Sequence, residues 1–190
     1  MRKPISMLLC LGLLTGLGAC GEDSHTSSEQ PTATSLPTAT KPEEATLPDG
    51  LSGSCEGSTL ITNNNLGSVA LKTNGGNLDI SIPSATDMML VDIGYYVNIY
   101  SSSDHWTQVR IEYSQSDDTK TLSVLDMKDA KTTQVGTFDV DAENHNQLDV
   151  SVPTSLIHAG KGSKWNAALD ENGKDIAFCP AEKNDRSTLE

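Results

Sequence analysis

The chain has 190 residues, with 26 acidic against 13 basic side chains, a net charge of -13 and only 4% aromatic residues. A field of that sign repels nucleic acid and anionic headgroups, which excludes partners held by phosphate contacts. The length suits one modest domain plus non-globular segments.

At the N-terminus, Arg2 and Lys3 precede an apolar run from Ile5 to Leu17, which leads into Gly18, Ala19 and Cys20. A positive start, a short apolar run and small residues before a cysteine form a secretory signal layout; the run is too short for a spanning helix. The ending Leu17-Gly18-Ala19-Cys20 resembles the lipobox of bacterial lipoproteins. That resemblance implies that residues 1–19 are a cleaved signal peptide and that Cys20 is the lipid attachment site, joining the chain to a membrane. Two or three acyl chains hold durably, since each buried methylene contributes about 0.8 kcal/mol. Residue 21 is Gly and not Asp. By the same resemblance this implies the outer membrane, with the outer face of a single cell membrane as the alternative. In the exported chain so implied, Cys10 leaves with the signal and Cys20 takes the lipid. Cys55 and Cys179 are then expected to form a disulfide.

Residues 20–50 are rich in Ser, Thr, Pro, Glu and Ala and poor in bulky apolar groups, so they are expected to be a disordered linker. As a coil it would reach roughly 30 Å from the membrane, and about 90 Å if stretched. Residues 51–182 carry the texture of a single all-β domain, and residues 183–190 are expected to be a flexible tail. Leu78, Ile80 and Ile82 alternate with polar residues and stop at Pro83. Thr107, Val109, Ile111 and Tyr113 alternate likewise, as do Leu148, Val150 and Val152 before Pro153. The hexapeptides Leu78–Pro83 and Leu148–Pro153 are nearly identical. Asp126 to Thr132 has room for a helical turn or two. Trp165, Ala167 and Leu169 precede Asp170-Glu171-Asn172-Gly173 and then Lys174 to Cys179, which reads as a hairpin. Short strands at this spacing predict a β-sandwich of about seven to nine strands.

Gly136-Thr137-Phe138-Asp139-Val140-Asp141, the strand ending at Pro153, Gly160 and the Trp165–Leu169 strand before Asn172-Gly173 together resemble bacterial immunoglobulin-like modules. The resemblance covers the last fifty or so residues of the domain. It implies an immunoglobulin-like sandwich used for adhesion, spacing or binding, with a strand at Gly136–Val140. Alternation puts Cys179 on the face of Ala177, opposite Ile176 and Phe178, so either the strand ends before Cys179 or the disulfide lies at the domain's rim.

Catalytic signatures are missing from the chain: no H-E-x-x-H, G-x-S-x-G, S-x-x-K or phosphate-cradling loop occurs. No catalytic residue, cofactor or metal site is therefore expected. His25 falls in the linker, and His105, His145 and His158 fall in turns or loops, where histidines are usually solvated. Asp139, Asp141, Glu143, Asn144 and Asn146 fail the helix-loop-helix calcium pattern, because the sixth position is Asn144 and the twelfth is Val150.

The sharpest constellation runs from Tyr95 to Tyr113. If residues 101–105 join two antiparallel strands, Tyr100 faces Trp106, Asn98 faces Gln108 and Tyr96 faces Arg110. The opposite face then pairs Ile99 with Thr107, Val97 with Val109 and Tyr95 with Ile111. Tyr96, Asn98, Tyr100, Trp106, Gln108 and Arg110 thus form a candidate ligand-binding face, suited to stacking on a sugar or gripping an envelope protein. The expected function is a non-catalytic binding or structural module of the cell envelope. The alternatives are an inhibitor of a foreign enzyme such as lysozyme, since Ser54-Cys55-Glu56-Gly57 is similar to the opening of small lipid-anchored lysozyme inhibitors, and a hydrolase on a β scaffold.

Overall fold

The longer strands form where bulky residues alternate with polar ones, and two of them end at Pro83 and Pro153. The computed structural model describes residues 47–58, 66–83, 92–102, 104–139 and 147–190. Among them are eleven strands, all paired antiparallel. They are β1 (Ser52–Glu56), β2 (Ser68–Asn74), β3 (Asn77–Pro83), β4 (Ile93–Tyr100), β5 (Trp106–Ser114), β6 (Thr119–Asp126), β7 (Lys131–Gly136), β8 (Gln147–Pro153), β9 (Lys164–Glu171), β10 (Lys174–Cys179) and β11 (Ser187–Thr188). One 3₁₀ turn, Thr154–Leu156, follows β8. Cys20, the linker up to residue 46, His145 and residues 140–146 lie outside the described residues.

The strands form two sheets, ordered β1-β2-β3-β8 and β10-β9-β4-β5-β6-β7. β11 pairs with β9 at Trp165 and Lys164, on the edge whose upper part β10 occupies. Alternation then builds the core between the sheets. Leu78, Ile80 and Ile82 of β3 and Leu148, Val150 and Val152 of β8 join Val97, Ile99, Val109, Ile111, Trp165 and Leu169 in one buried cluster. The neighbours β2-β3-β8 and β10-β9-β4-β5 are those of strands A-B-E and G-F-C-C′ in an immunoglobulin sandwich. The expected all-β sandwich is formed. It departs from that arrangement in keeping β7 on the larger sheet, and in placing its disulfide between β1 and β10.

Cys55 and Cys179 are bonded, with 5.6 Å between their Cα atoms. The parity problem resolves at the rim. Ala177 and Cys179 point inward and are fully buried, whereas Ile176 and Phe178 take the other face of β10, where Lys183 sits 5.3 Å from the Phe178 ring. A register shift between Asp175 and Ala177 accompanies this arrangement.

Five expectations need correction. The strand count exceeds seven to nine, because polar β7 and two-residue β11 lack apolar alternation. Residues 183–190 are not a free tail: β11 pairs with β9 and Leu189 is buried in the core. At the other boundary, Leu47 is buried as well, and the Thr73 hydroxyl donates to the Pro48 carbonyl at 2.8 Å, so the domain starts before residue 51. Asp126 to Thr132 forms a hairpin turn and no helix. The Asp126 carboxylate accepts the Lys128 N–H at 2.8 Å, which offers the backbone an alternative to helical pairing. The strand implied at Gly136–Val140 also falls earlier in the chain. β7 stops at Gly136, and Phe138 reaches the core from outside any strand.

Candidate functional site

The register of β4 and β5 places all six predicted face residues together. Tyr100 pairs with Trp106, Asn98 with Gln108 and Tyr96 with Arg110, while Ile99–Thr107, Val97–Val109 and Tyr95–Ile111 take the core side. The six are half-buried on the outer face of the larger sheet. β9 adds Asn166 beside Asn98, and Ala168 beside Tyr96.

Side chains on this face hold one another. Gln108 Nε2 donates to Asn98 Oδ1 at 2.9 Å, and Asn98 Nδ2 donates to Asn166 Oδ1 at 3.0 Å. Tyr100 Oη also donates to Asn166 Oδ1, at 3.4 Å. The Tyr100 and Trp106 rings stack with centroids 5.5 Å apart and planes at 26°. Arg186 lies over the Tyr100 ring, 3.7 Å from its centroid, within the range of a cation–π contact. The resulting strip is an aromatic pair flanked by amides whose orientations are fixed before any ligand arrives. The Gln108 carbonyl and the Asn166 amide nitrogen stay outside the bonds just named.

The Tyr96 end is wired through Glu112. Tyr96 Oη and Arg110 Nη2 both donate to Glu112 Oε1, each at 3.1 Å. Arg110 also stands 5.3 Å from the Tyr96 ring centroid, although its Nε is buried without a hydrogen-bond partner. Burial, followed by the Glu112 charge, raises the Tyr96 pKa above its ordinary 10.0, against the lowering effect of Arg110. Gly94 makes room for this arrangement, because a Cβ there would meet the Tyr96 hydroxyl at 2.7 Å. Beside it opens a cleft of about 400 Å³ lined by Asp92, Gly94, Tyr96, Glu112, Thr121 and Asp170.

The histidine expectation is only partly met. His105 and His158 do lie outside the long strands, yet their side chains are 23% and 20% exposed and both converge on Asp126. His105 Nε2 lies 3.4 Å from Asp126 Oδ1, and His158 Nε2 lies 3.3 Å from Asp126 Oδ2. The Asp126 pKa is lowered. Burial opposes that shift but is outweighed by the Lys128 and Asp129 N–H groups together with the two imidazoles. These three side chains are the group of metal-ligand type that comes together among the described residues. Of the residues tested against the calcium pattern, Asp139 is described, and Asp141, Glu143, Asn144 and Asn146 lie outside the described residues.

No helix among the described residues is long and apolar enough to cross a membrane. No protein-family model matches the chain, and comparison with curated proteins and with solved structures finds no match.

Proposed function

We propose that this chain is a lipid-anchored, non-catalytic binding module of the bacterial cell envelope, and that it takes a glycan on the outer face of its larger sheet. The observation that carries the reading is the Tyr100–Trp106 stack, held against Arg186 and continued by the Gln108–Asn98–Asn166 amide chain. Flat aromatic surface offers the apolar face of a sugar ring a contact, and planar amides in fixed orientation satisfy its hydroxyls. Preorganisation lowers the ordering cost of binding. The anchor at Cys20 rests on the lipobox resemblance, and the Ser/Thr-rich composition of the segment beyond it suits a spacer between the lipid and the domain.

Two measurements test the reading. Mass spectrometry of the full chain produced in bacteria is expected to find the mature product starting at Cys20 with acyl mass added; a product retaining Met1 contradicts the anchor. Binding to purified envelope polysaccharide is expected to weaken at least tenfold in Trp106→Ala, with the melting temperature changed little. Unchanged binding beside a lowered melting temperature would assign the aromatic pair to sheet stability alone. Binding to envelope fractions that disappears after protease treatment would replace the glycan with an envelope protein.

A further inference from the structure

Two histidines and an aspartate far apart in sequence meet at one end of the sandwich. His105 closes the β4–β5 connection, Asp126 ends β6 before its turn, and His158 follows the 3₁₀ turn between β8 and β9. Backbone bonds hold these segments to one another. Met127 N–H donates to the Trp106 carbonyl at 3.1 Å, and His158 N–H donates to the Thr107 hydroxyl at 3.3 Å. The three side chains are only 18–23% exposed, and the two imidazoles lie 5.0 Å apart by ring centroids.

We propose that His105 Nε2, His158 Nε2 and the Asp126 carboxylate bind a divalent ion of the zinc type. The argument begins with donor chemistry. Two imidazole nitrogens and one carboxylate suit zinc and its late first-row neighbours, whereas calcium and magnesium require mostly oxygen ligands. Geometry agrees. Tetrahedral zinc with bonds of about 2.0–2.1 Å separates neighbouring ligand atoms by about 3.3 Å. Each imidazole nitrogen keeps about that spacing from its own carboxylate oxygen, His105 Nε2 at 3.4 Å from Oδ1 and His158 Nε2 at 3.3 Å from Oδ2, and one ligand atom from each of the three residues lies within 4.8 Å of the others. His105 Nε2 is, moreover, buried with no hydrogen-bond partner while aimed at Asp126. In the tautomer that carries its proton on Nδ1, that nitrogen would turn its lone pair toward an ion held between the three side chains. The carboxylate is oriented from behind, because Asp126 Oδ1 accepts the N–H groups of Lys128 at 2.8 Å and Asp129 at 3.4 Å. Outer bonds of that kind fix ligand direction in metal sites. Three protein ligands leave a fourth position open to water or to an exogenous group.

The test uses the untagged full chain after chelator treatment, titrated with zinc by calorimetry and with cobalt by visible absorption. One equivalent is expected to bind. Cobalt should give the strong visible bands of a tetrahedral site, zinc should displace it, and calcium and magnesium at the same concentrations should not. Zinc is also expected to raise the melting temperature, as any ligand of the native state does. His105→Gln and His158→Gln are each expected to weaken binding at least about tenfold, and His25→Gln and His145→Gln are expected to leave it unchanged. Asp126→Asn is expected to weaken binding likewise, and circular dichroism confirms that each variant remains folded; should Asp126→Asn unfold, the two histidine variants decide alone. Absence of saturable zinc binding overturns the assignment, as does binding that survives both His105→Gln and His158→Gln or is lost in His25→Gln or His145→Gln.

Discussion

Glu112 fixes the Tyr96 end of the outer face, since one of its oxygens accepts from both the tyrosine hydroxyl and the Arg110 guanidinium. The consequence is a pH effect whose sign follows from the raised Tyr96 pKa. Below 10.0 the phenol is neutral in folded and unfolded chains alike, and it contributes no pH dependence. As pH rises between 10.0 and the higher folded value, the unfolded chain loses this proton first, so stability falls through that window. Glu112→Gln removes the second largest cause of the shift. It is expected to move the Tyr96 ionisation downward in an ultraviolet tyrosinate titration and to lessen the alkaline loss of stability. An unmoved titration would show that burial alone sets the value. The six face residues were legible because period-two alternation and a five-residue loop fix cross-strand partners locally. Glu112 gives no such signal, because its partner across the ladder is Gly94, which has no side chain with which to form a pair. Asn166 and Arg186 arrive from strands and segments whose positions depend on the whole fold, and nothing in their immediate neighbours announces this. The same holds for Asp126, which brings two loop histidines together across more than fifty residues of sequence.

At the scale of elements, the two near-identical hexapeptides turn out to be partners. β3 and β8 lie side by side, with Leu78 opposite Val152, Ile80 opposite Val150 and Ile82 opposite Leu148. Because the pairing is antiparallel, the shared Asp-x-Ser pattern sets each aspartate against a serine: Asp79 meets Ser151, and Ser81 meets Asp149. The Ser151 hydroxyl donates to Asp79 Oδ1 at 2.7 Å. A sequence that pairs with its own likeness thereby avoids placing like charges opposite one another, a physical advantage that accounts for the repeat without a duplication. Ser151→Asp is expected to destabilise the domain by about 1 kcal/mol, through repulsion and the lost bond. That would lower the melting temperature by roughly 3–5 °C. Ser151→Lys, by contrast, should cost little or raise it, and a drop as large as that of the aspartate would point to packing in place of charge. Strands of this kind were readable since bulky residues alternate and a proline, lacking an N–H, ends them. β7 was not. Its residues are mostly polar and half of them exposed, and Val135 is its one bulky apolar side chain, so no hydrophobic period marks it. Gly173 and Asn172, at φ of 81° and 53°, made the β9–β10 turn legible for the opposite reason, as both occupy the left-handed region that such a hairpin demands.

Among the described residues, the two sheets are tied together along one pair of edges and not along the other. On the closed side Ser52 and Glu190 exchange two backbone hydrogen bonds of 2.9 Å, which tie β1 to the segment after β11. Gly53 lets this seam approach the buried Trp165, since a Cβ there would meet the indole nitrogen at 2.7 Å. The Cys55–Cys179 bond crosses the same seam. On the open side the outermost strands are β7 and β8, whose exposed Lys131, Asp149 and Ser151 discourage pairing with another chain. Two kinds of closure therefore act in parallel, one covalent and one through hydrogen bonds, and their contributions differ in origin. The covalent link joins residues 124 apart in sequence and restricts mainly the unfolded chain, by about 5 kcal/mol in the chain-entropy treatment. The hydrogen bonds act only in the folded state and contribute about 0.5–1.5 kcal/mol each. Replacing both cysteines with serine is thus expected to lower the free energy of unfolding in urea by about 3–5 kcal/mol, with the folded β-sheet spectrum retained under native conditions. A loss below about 1 kcal/mol would mean that β11 and the C-terminal carbonyls hold the two sheets together without help from the sulfur bridge.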